Sequence, residues 1–205
     1  MSSETSGAKG NKRKAADTRN LLLASARATF HGRGYPATRV SDICSGAGVS
    51  HGTFYTYFKN KEDIFEALLK EMLDDISAYA RRVWTRDDVR LGIKETIRGF
   101  LEVYAQHRDL MASARHLTAV DDRFMEIYRK GREQLFAKIM REIEYSSAQG
   151  LCRETDPYLA SRILGSMLEQ FAYTLLVENP ELDREKGLSV LTELWFGALG
   201  YKKRE

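Results

Sequence analysis

Proline is nearly missing from this chain, with three in 205 residues, and segments that alternate apolar and polar side chains are as scarce. A chain so poor in backbone breakers and in two-residue patterning has little use for strands, which points to an all-α fold. Only two cysteines are present, Cys44 and Cys152, far apart and with no second cysteine near either. That excludes a disulfide framework and a cysteine-based zinc site. The four histidines, His31, His51, His107 and His116, include no pair four residues apart and no glutamate in metalloprotease spacing, so no metal is expected. No run approaches the roughly 18 apolar residues of a membrane span, and the opening MSSETSGAKGNKRKAAD lacks a signal-peptide hydrophobic region. A cytoplasmic protein without membrane contact is the expectation.

Nucleotide and nucleophile motifs are missing as well. Gly46-x-Gly48 would need its third glycine at His51, no Gly-Lys-Ser phosphate loop occurs, and no Gly-x-Ser-x-Gly elbow appears. No cofactor and no catalytic residue are therefore expected.

What is present is a hydrophobic fraction of 43%, sufficient for a real core, and an uneven charge distribution. Residues 1 to 60 hold nine Lys or Arg against three acids, whereas residues 61 to 205 hold twenty-three against twenty-six. The net charge of +3 is thus the sum of +6 and -3. A basic end on a near-neutral body suits a polyanion such as DNA.

Residues 1–14 are rich in Ser, Gly, Lys and Asn and read as a disordered basic tail. Helical periodicity starts near Ala15 with Leu22, Leu23, Ala26 and Phe30, and stops at Gly32-Arg33-Gly34. Thr38 is placed to cap a short second helix carrying Val40, Ile43 and Ala47, and Ser50 to cap a third in which Phe54 and Phe58 lie one turn apart. A long fourth helix follows from Lys61 through Ile64, Phe65, Leu68, Met72 and Ile76. Beyond Trp84, further helices are marked by Ile93 to Tyr104, by Asp109 to Thr118, by Phe124 to Ile143, by Asp156-Pro157 to Leu175, and by Asp183 to Gly200. About nine helices result, divided into a head over residues 15–60 and a larger unit over 61–205.

The window from Ala47 to Ile64 crowds hydroxyl, aromatic and histidine side chains into a segment where core filling alone would favour Leu, Ile and Ala. Two short helices joined at Gly48, the second capped by Ser50, have the pattern of a helix-turn-helix. With Phe54 and Phe58 turned inward, His51, Gly52, Thr53, Tyr55, Thr56 and Tyr57 fall on the other side or its flanks.

On these residues the sequence resembles the tetracycline-repressor (TetR/AcrR) family of bacterial transcription regulators. The likeness is carried by TRVSDICSGAGVS from Thr38 to Ser50, GTFYTYF from Gly52 to Phe58 and KEDIF from Lys61 to Phe65. Cys44 stands where the family more often has Ala, and Tyr57 where His is common. The resemblance implies a homodimer that reads a pseudo-palindromic double-stranded DNA operator. Ser41, His51, Thr53, Tyr55 and Thr56 would approach bases or nearby backbone, and Thr38, Ser50, Tyr57 and Lys61 would hold phosphates.

It also implies a C-terminal domain that binds a small molecule and dimerises, most often in a repressor that its ligand releases. For the ligand, Phe100, Tyr104, Met111, His116, Phe124, Tyr128, Met167, Gln170, Tyr173 and Trp195 supply large apolar faces with few polar handles, which favours a hydrophobic effector. For the dimer, Leu164, Leu168, Phe171, Leu191 and Leu194 are the candidates, since the last two helices are apolar on more than one stripe. Two rival readings are an enzyme using Asp121, Asp122 and Glu126, and a helical scaffold binding another protein. The first group reads more simply as a solvated helix start, and the second reading leaves the polar tips of residues 50 to 57 without a use.

Overall fold

The computed structural model describes residues 4–82, 88–119 and 121–201, without the side chains of residues 4–12, 79–82 and 116. It divides into two compact units, Met1–Leu69 and Lys70–Glu205. The described residues are mostly helical and hold no strand, as an all-α chain should.

In the first unit, α1 (Glu4–Arg33) buries Leu22, Leu23, Ala26 and Phe30 on one stripe. α1 runs from Glu4, within the segment expected to be a disordered tail. Lys and Ala around residues 12–16 are good helix formers, so once the Leu22 stripe packs, the helix extends back through them. The side chains of Lys9 and Lys12 lie outside the described residues, while Arg13 and Lys14 are exposed.

Next come α2 (Val40–Ala47) and α3 (His51–Tyr57). The Ser25 hydroxyl on α1 donates to the Ile43 carbonyl on α2 at 2.8 Å, and a side chain on Gly46 would collide with that same hydroxyl. Gly46 is therefore what lets the two helices approach so closely. Phe30, Tyr35 and Phe65 form an aromatic triangle with centroid separations of 5.4, 5.6 and 4.8 Å. Since Ile64, Phe65, Leu68 and Leu69 of α4 (Lys61–Arg82) are all fully buried, the unit continues past residue 60 to Leu69.

The second unit holds α5 (Val89–Gln106), α6 (Arg108–Leu117), α7 (Asp122–Ala148), α8 (Pro157–Tyr173) and α9 (Arg184–Leu199). Four of them start on an aspartate whose carboxylate accepts a backbone N–H: Asp88, Asp121, Asp156 and Asp183, at 2.9 to 3.0 Å. α7 packs on α8 and α5 on α9. Gly165 permits the first contact, because any side chain there would overlap the Phe136 ring. A π-helical turn, Thr174–Glu178, follows α8, with Asn179 N–H bonded five residues back to Thr174 at 2.9 Å.

Candidate nucleic-acid interface and effector cavity

α2 ends at Gly48, whose φ of 65° is the left-handed conformation that glycine adopts without penalty. Val49 N–H reaches back to the Cys44 carbonyl at 3.0 Å and Gly48 N–H to Ser45 at 3.2 Å, the double closure of a Schellman turn. Two residues later the Ser50 hydroxyl accepts from Thr53 N–H at 3.1 Å and starts α3. Seven residues cannot hold a helix by themselves in water, so α3 depends on what anchors it. Phe54 and Phe58 do so, 0% and 5% exposed, with ring centroids 5.8 Å apart. Cys44 is likewise buried, and burial pushes its thiol up, making it an inert core group.

The opposite side of α3 is open. His51, Gly52, Tyr55 and Thr56 are exposed, as is Ser50, and Thr53 and Tyr57 are half-buried; Ser41 is exposed on α2. The hydroxyls of Ser50 and Thr53 lie 2.9 Å apart, and Thr56 donates back to the Gly52 carbonyl at 3.1 Å. Lys61 is half-buried: its ammonium donates to the Tyr35 carbonyl at 2.9 Å and sits 4.2 Å from that ring's centre. An ammonium has three donors, so a phosphate can still be met by the others.

Thr38 departs from expectation twice. Arg39 occupies the cap position of α2, where its N–H is received by the Asp42 carboxylate at 2.9 Å. Thr38 itself is 2% exposed and donates its hydroxyl to the Gly34 carbonyl at 2.8 Å. Its side chain is engaged by the turn after α1. Arg39, exposed beside it, is a cation that the spacing argument overlooked.

The second unit contains a cavity of about 320 Å³ lined by Tyr104, Met111, Arg115, Thr118, Tyr128, Arg132, Ser166, Glu169, Gln170 and Tyr173. Of the ligand candidates it gathers Tyr104, Met111, Tyr128, Gln170 and Tyr173. The others fall elsewhere. Phe100 is buried with its ring 5.8 Å from that of Tyr104, Phe124 is 1% exposed in the core, and Met167 is half-buried away from the lining. Trp195 borders a separate void of about 20 Å³ with Ile93 and Thr96. The His116 side chain lies outside the described residues.

The lining also holds Arg115, Arg132 and Glu169, charged residues that were not among the sequence candidates. Arg132 donates from Nε to Glu169 at 2.7 Å and from a terminal nitrogen to Ser166 at 3.2 Å; the Arg115 guanidinium lies 4.2 Å from the centre of the Tyr173 ring. The walls therefore do not have the few fixed charges expected of them. A signal did exist: Arg115 follows Met111, and Arg132 follows Tyr128, by one turn. Burial pushes the Tyr104 phenol above its usual range and that of Tyr128 up to about 12, so both remain donors at neutral pH. Burial also raises Glu169, against the lowering effect of Arg132.

Three of the dimer candidates lie in the interior of the second unit. Leu164, Leu168 and Leu191 are 3%, 0% and 3% exposed within the single chain. Phe171 is half-buried, and a side chain on Gly187 would come within 2.7 Å of its ring, so it too packs between α8 and α9. Only Leu194, 54% exposed, faces outward, together with Tyr158, Leu159, Ile163 and Val190. A helix stripe shifts by 100° per residue, so neighbours such as Ile163 and Leu164 face different partners.

Two of the acidic trio are engaged in capping and ion pairs. Asp121 caps α7 and is held below the usual carboxylate range by hydrogen bonds from Arg123, while Glu126 is lowered to about 2 by Arg129 and Lys130.

Two short helices hinged at a glycine, the second capped, clamped by two phenylalanines and open along its other side, define a helix-turn-helix DNA-binding protein. Residues 22–68 match the family profile of bacterial regulatory proteins, tetR family. Over that segment the chain is similar to transcriptional regulators of that family. It is 24% identical over 190 residues to the uncharacterized HTH-type transcriptional regulator YhgD of Bacillus subtilis (strain 168), covering 87% of this chain and 94% of the relative. More identical relatives, at 32% to 42%, align over only 29% to 37% of their own length.

Among solved structures, the fatty acid degradation regulator FadR from Bacillus halodurans superposes with a TM-score of 0.77 at 20% identity, covering 90% of this chain and 97% of that one. SmeT, the repressor of the Stenotrophomonas maltophilia multidrug efflux pump SmeDEF, gives 0.69 at 20% identity, with 90% of each chain covered. SmeT is also known in complex with triclosan. At these identities the likeness is one of fold. No helix among the described residues is long and apolar enough to cross a membrane.

Proposed function

We propose that this protein is a cytoplasmic, homodimeric repressor that leaves its operator when a small ligand with a mostly apolar body fills the cavity between Tyr104 and Tyr173. One observation carries the DNA half of the reading: the rim of Ser50, His51, Gly52, Tyr55 and Thr56 is exposed while Phe54 and Phe58 anchor it from behind. An N-terminal rim of that kind suits a major groove, with Ser41, His51, Thr53, Tyr55 and Thr56 near base edges and Ser50, Tyr57 and Lys61 near phosphates. The head occupies the unit up to Leu69, and effector binding and dimerisation the unit after it.

Two heads must be paired to read a pseudo-palindrome. The outward row of Leu159 and Ile163 on α8 with Val190 and Leu194 on α9 is the surface we assign to the second copy. A ligand that prefers a head spacing unable to match adjacent groove faces weakens DNA binding, and DNA weakens ligand binding by the same factor.

Footprinting on the DNA upstream of its own gene tests the reading. A protected, two-fold-related pair of half-sites, lost progressively with salt, is the expected result. Absence of any sequence-selective protection at low salt refutes it.

A further inference from the structure

The effector cavity has a charge imbalance. Arg132 is answered by Glu169 at 2.7 Å, whereas Arg115 pairs with no carboxylate among the described residues and rests on the Tyr173 ring. Two guanidinium groups against one carboxylate leave one positive charge at the site. Tyr104 is 98% buried, given its 2% exposure, yet its hydroxyl has no hydrogen-bond partner among the described residues, and neither has that of Tyr128. Two phenol hydroxyls in the lining of one cavity, neither engaged by a protein group, beside a guanidinium that no carboxylate answers, offer donors to a ligand's acceptor.

We propose that the effector is a monocarboxylate with an aromatic or alkyl body, its carboxylate held by Arg115 and by the Tyr104 and Tyr128 hydroxyls. The inference rests on the reading of this cavity as the effector site. A guanidinium donates two parallel N–H groups to a carboxylate, and the phenols add directed donors where water has been displaced. The Tyr173 ring and Met111 provide the apolar wall for the remainder. One surplus positive charge balances a single carboxylate. A dianionic phosphate would bring a second negative charge close to Glu169 without a cation to answer it.

The test uses the full-length protein and matched probes: phenylpropionate and the straight-chain acids from hexanoate to decanoate, each against its primary amide, by calorimetry at neutral pH. The acids should bind about tenfold or more tightly than the amides, the ratio expected for charge-assisted hydrogen bonds, and Arg115→Gln should collapse that ratio toward one. Within one protein the acid-to-amide ratio is its own folding control, and the wild-type ratio decides even if the variant is unstable. Amides binding as well as acids overturn the proposal but leave the cavity an effector site. A preference for acids unchanged in Arg115→Gln overturns the role of Arg115. If neither series binds, the carboxylate assignment falls. The effector reading falls with it only if no compound that stabilises the protein loses its effect in Tyr173→Ala.

Discussion

Truncation of Phe54 separates the anchor of α3 from its reading surface. The ring is 0% exposed, tilted against Phe58 at 5.8 Å and edge-on to Tyr55 at 5.4 Å. Removing it deletes a fully buried aromatic from a helix of seven residues that cannot refold around the void by itself. Phe54→Ala should therefore cost about 3–5 kcal/mol, a large part of the roughly 5–15 kcal/mol that a whole domain has. His51→Ala with Thr56→Ala removes two exposed side chains from the same helix. Exposed positions lacking such buried contacts change stability by about 0.5 kcal/mol or less. Urea unfolding followed by circular dichroism, beside operator titration by fluorescence anisotropy, gives a crossed pattern. Phe54→Ala loses both stability and DNA affinity; the double variant keeps stability and loses affinity by about tenfold or more, since well-formed base contacts carry roughly 1–3 kcal/mol each. A Phe54→Ala protein within about 1 kcal/mol of the wild type would refute the anchoring argument. A double variant with unaltered operator affinity would refute the reading surface.

Gly165→Ala drives a methyl into the Phe136 ring and should destabilise by about 1–3 kcal/mol despite the better helix propensity of alanine; a variant of equal or higher melting temperature would contradict the close α7–α8 contact. Ile163→Arg, at a position 67% exposed, should leave the chain folded but monomeric in sedimentation equilibrium and lower operator affinity; a dimer of unchanged affinity would remove α8 from the interface. The phenols of Tyr104 and Tyr128 are held above their ordinary values by burial. A raised acid group adds stability below its unfolded value of about 10 and loses it as pH climbs toward the folded value, so unfolding free energy should fall from about pH 10 upward. Tyr104→Phe with Tyr128→Phe should flatten that fall, and an unaltered alkaline slope would show that the phenols are not the groups responsible.

Much of the head was readable in order along the chain, because its determinants lie within a turn or two of one another. Gly48, Ser50, Phe54 and Phe58 act over neighbouring residues, and each takes the place that its spacing required. Thr38 shows where local reasoning ends: a threonine ahead of a short helix looks like a cap, but the turn after Gly34 claims its hydroxyl and Asp42 reaches back to the Arg39 N–H instead.

By itself, the order of residues determined most of the helices, the aspartate starts at Asp156 and Asp183 and the clamped third helix, since capping and one-turn spacing are local. Tertiary structure alone decided which apolar stripe of α8 and α9 turned inward, burying Leu164, Leu168 and Leu191 and leaving Ile163 and Leu194 outside. It alone placed Arg115, Arg132 and Glu169 around a cavity with Tyr104 and Tyr173. A helix with two apolar stripes is compatible with several rotations about its axis, and the choice among them belongs to its neighbours, here through contacts such as Phe136 against Gly165.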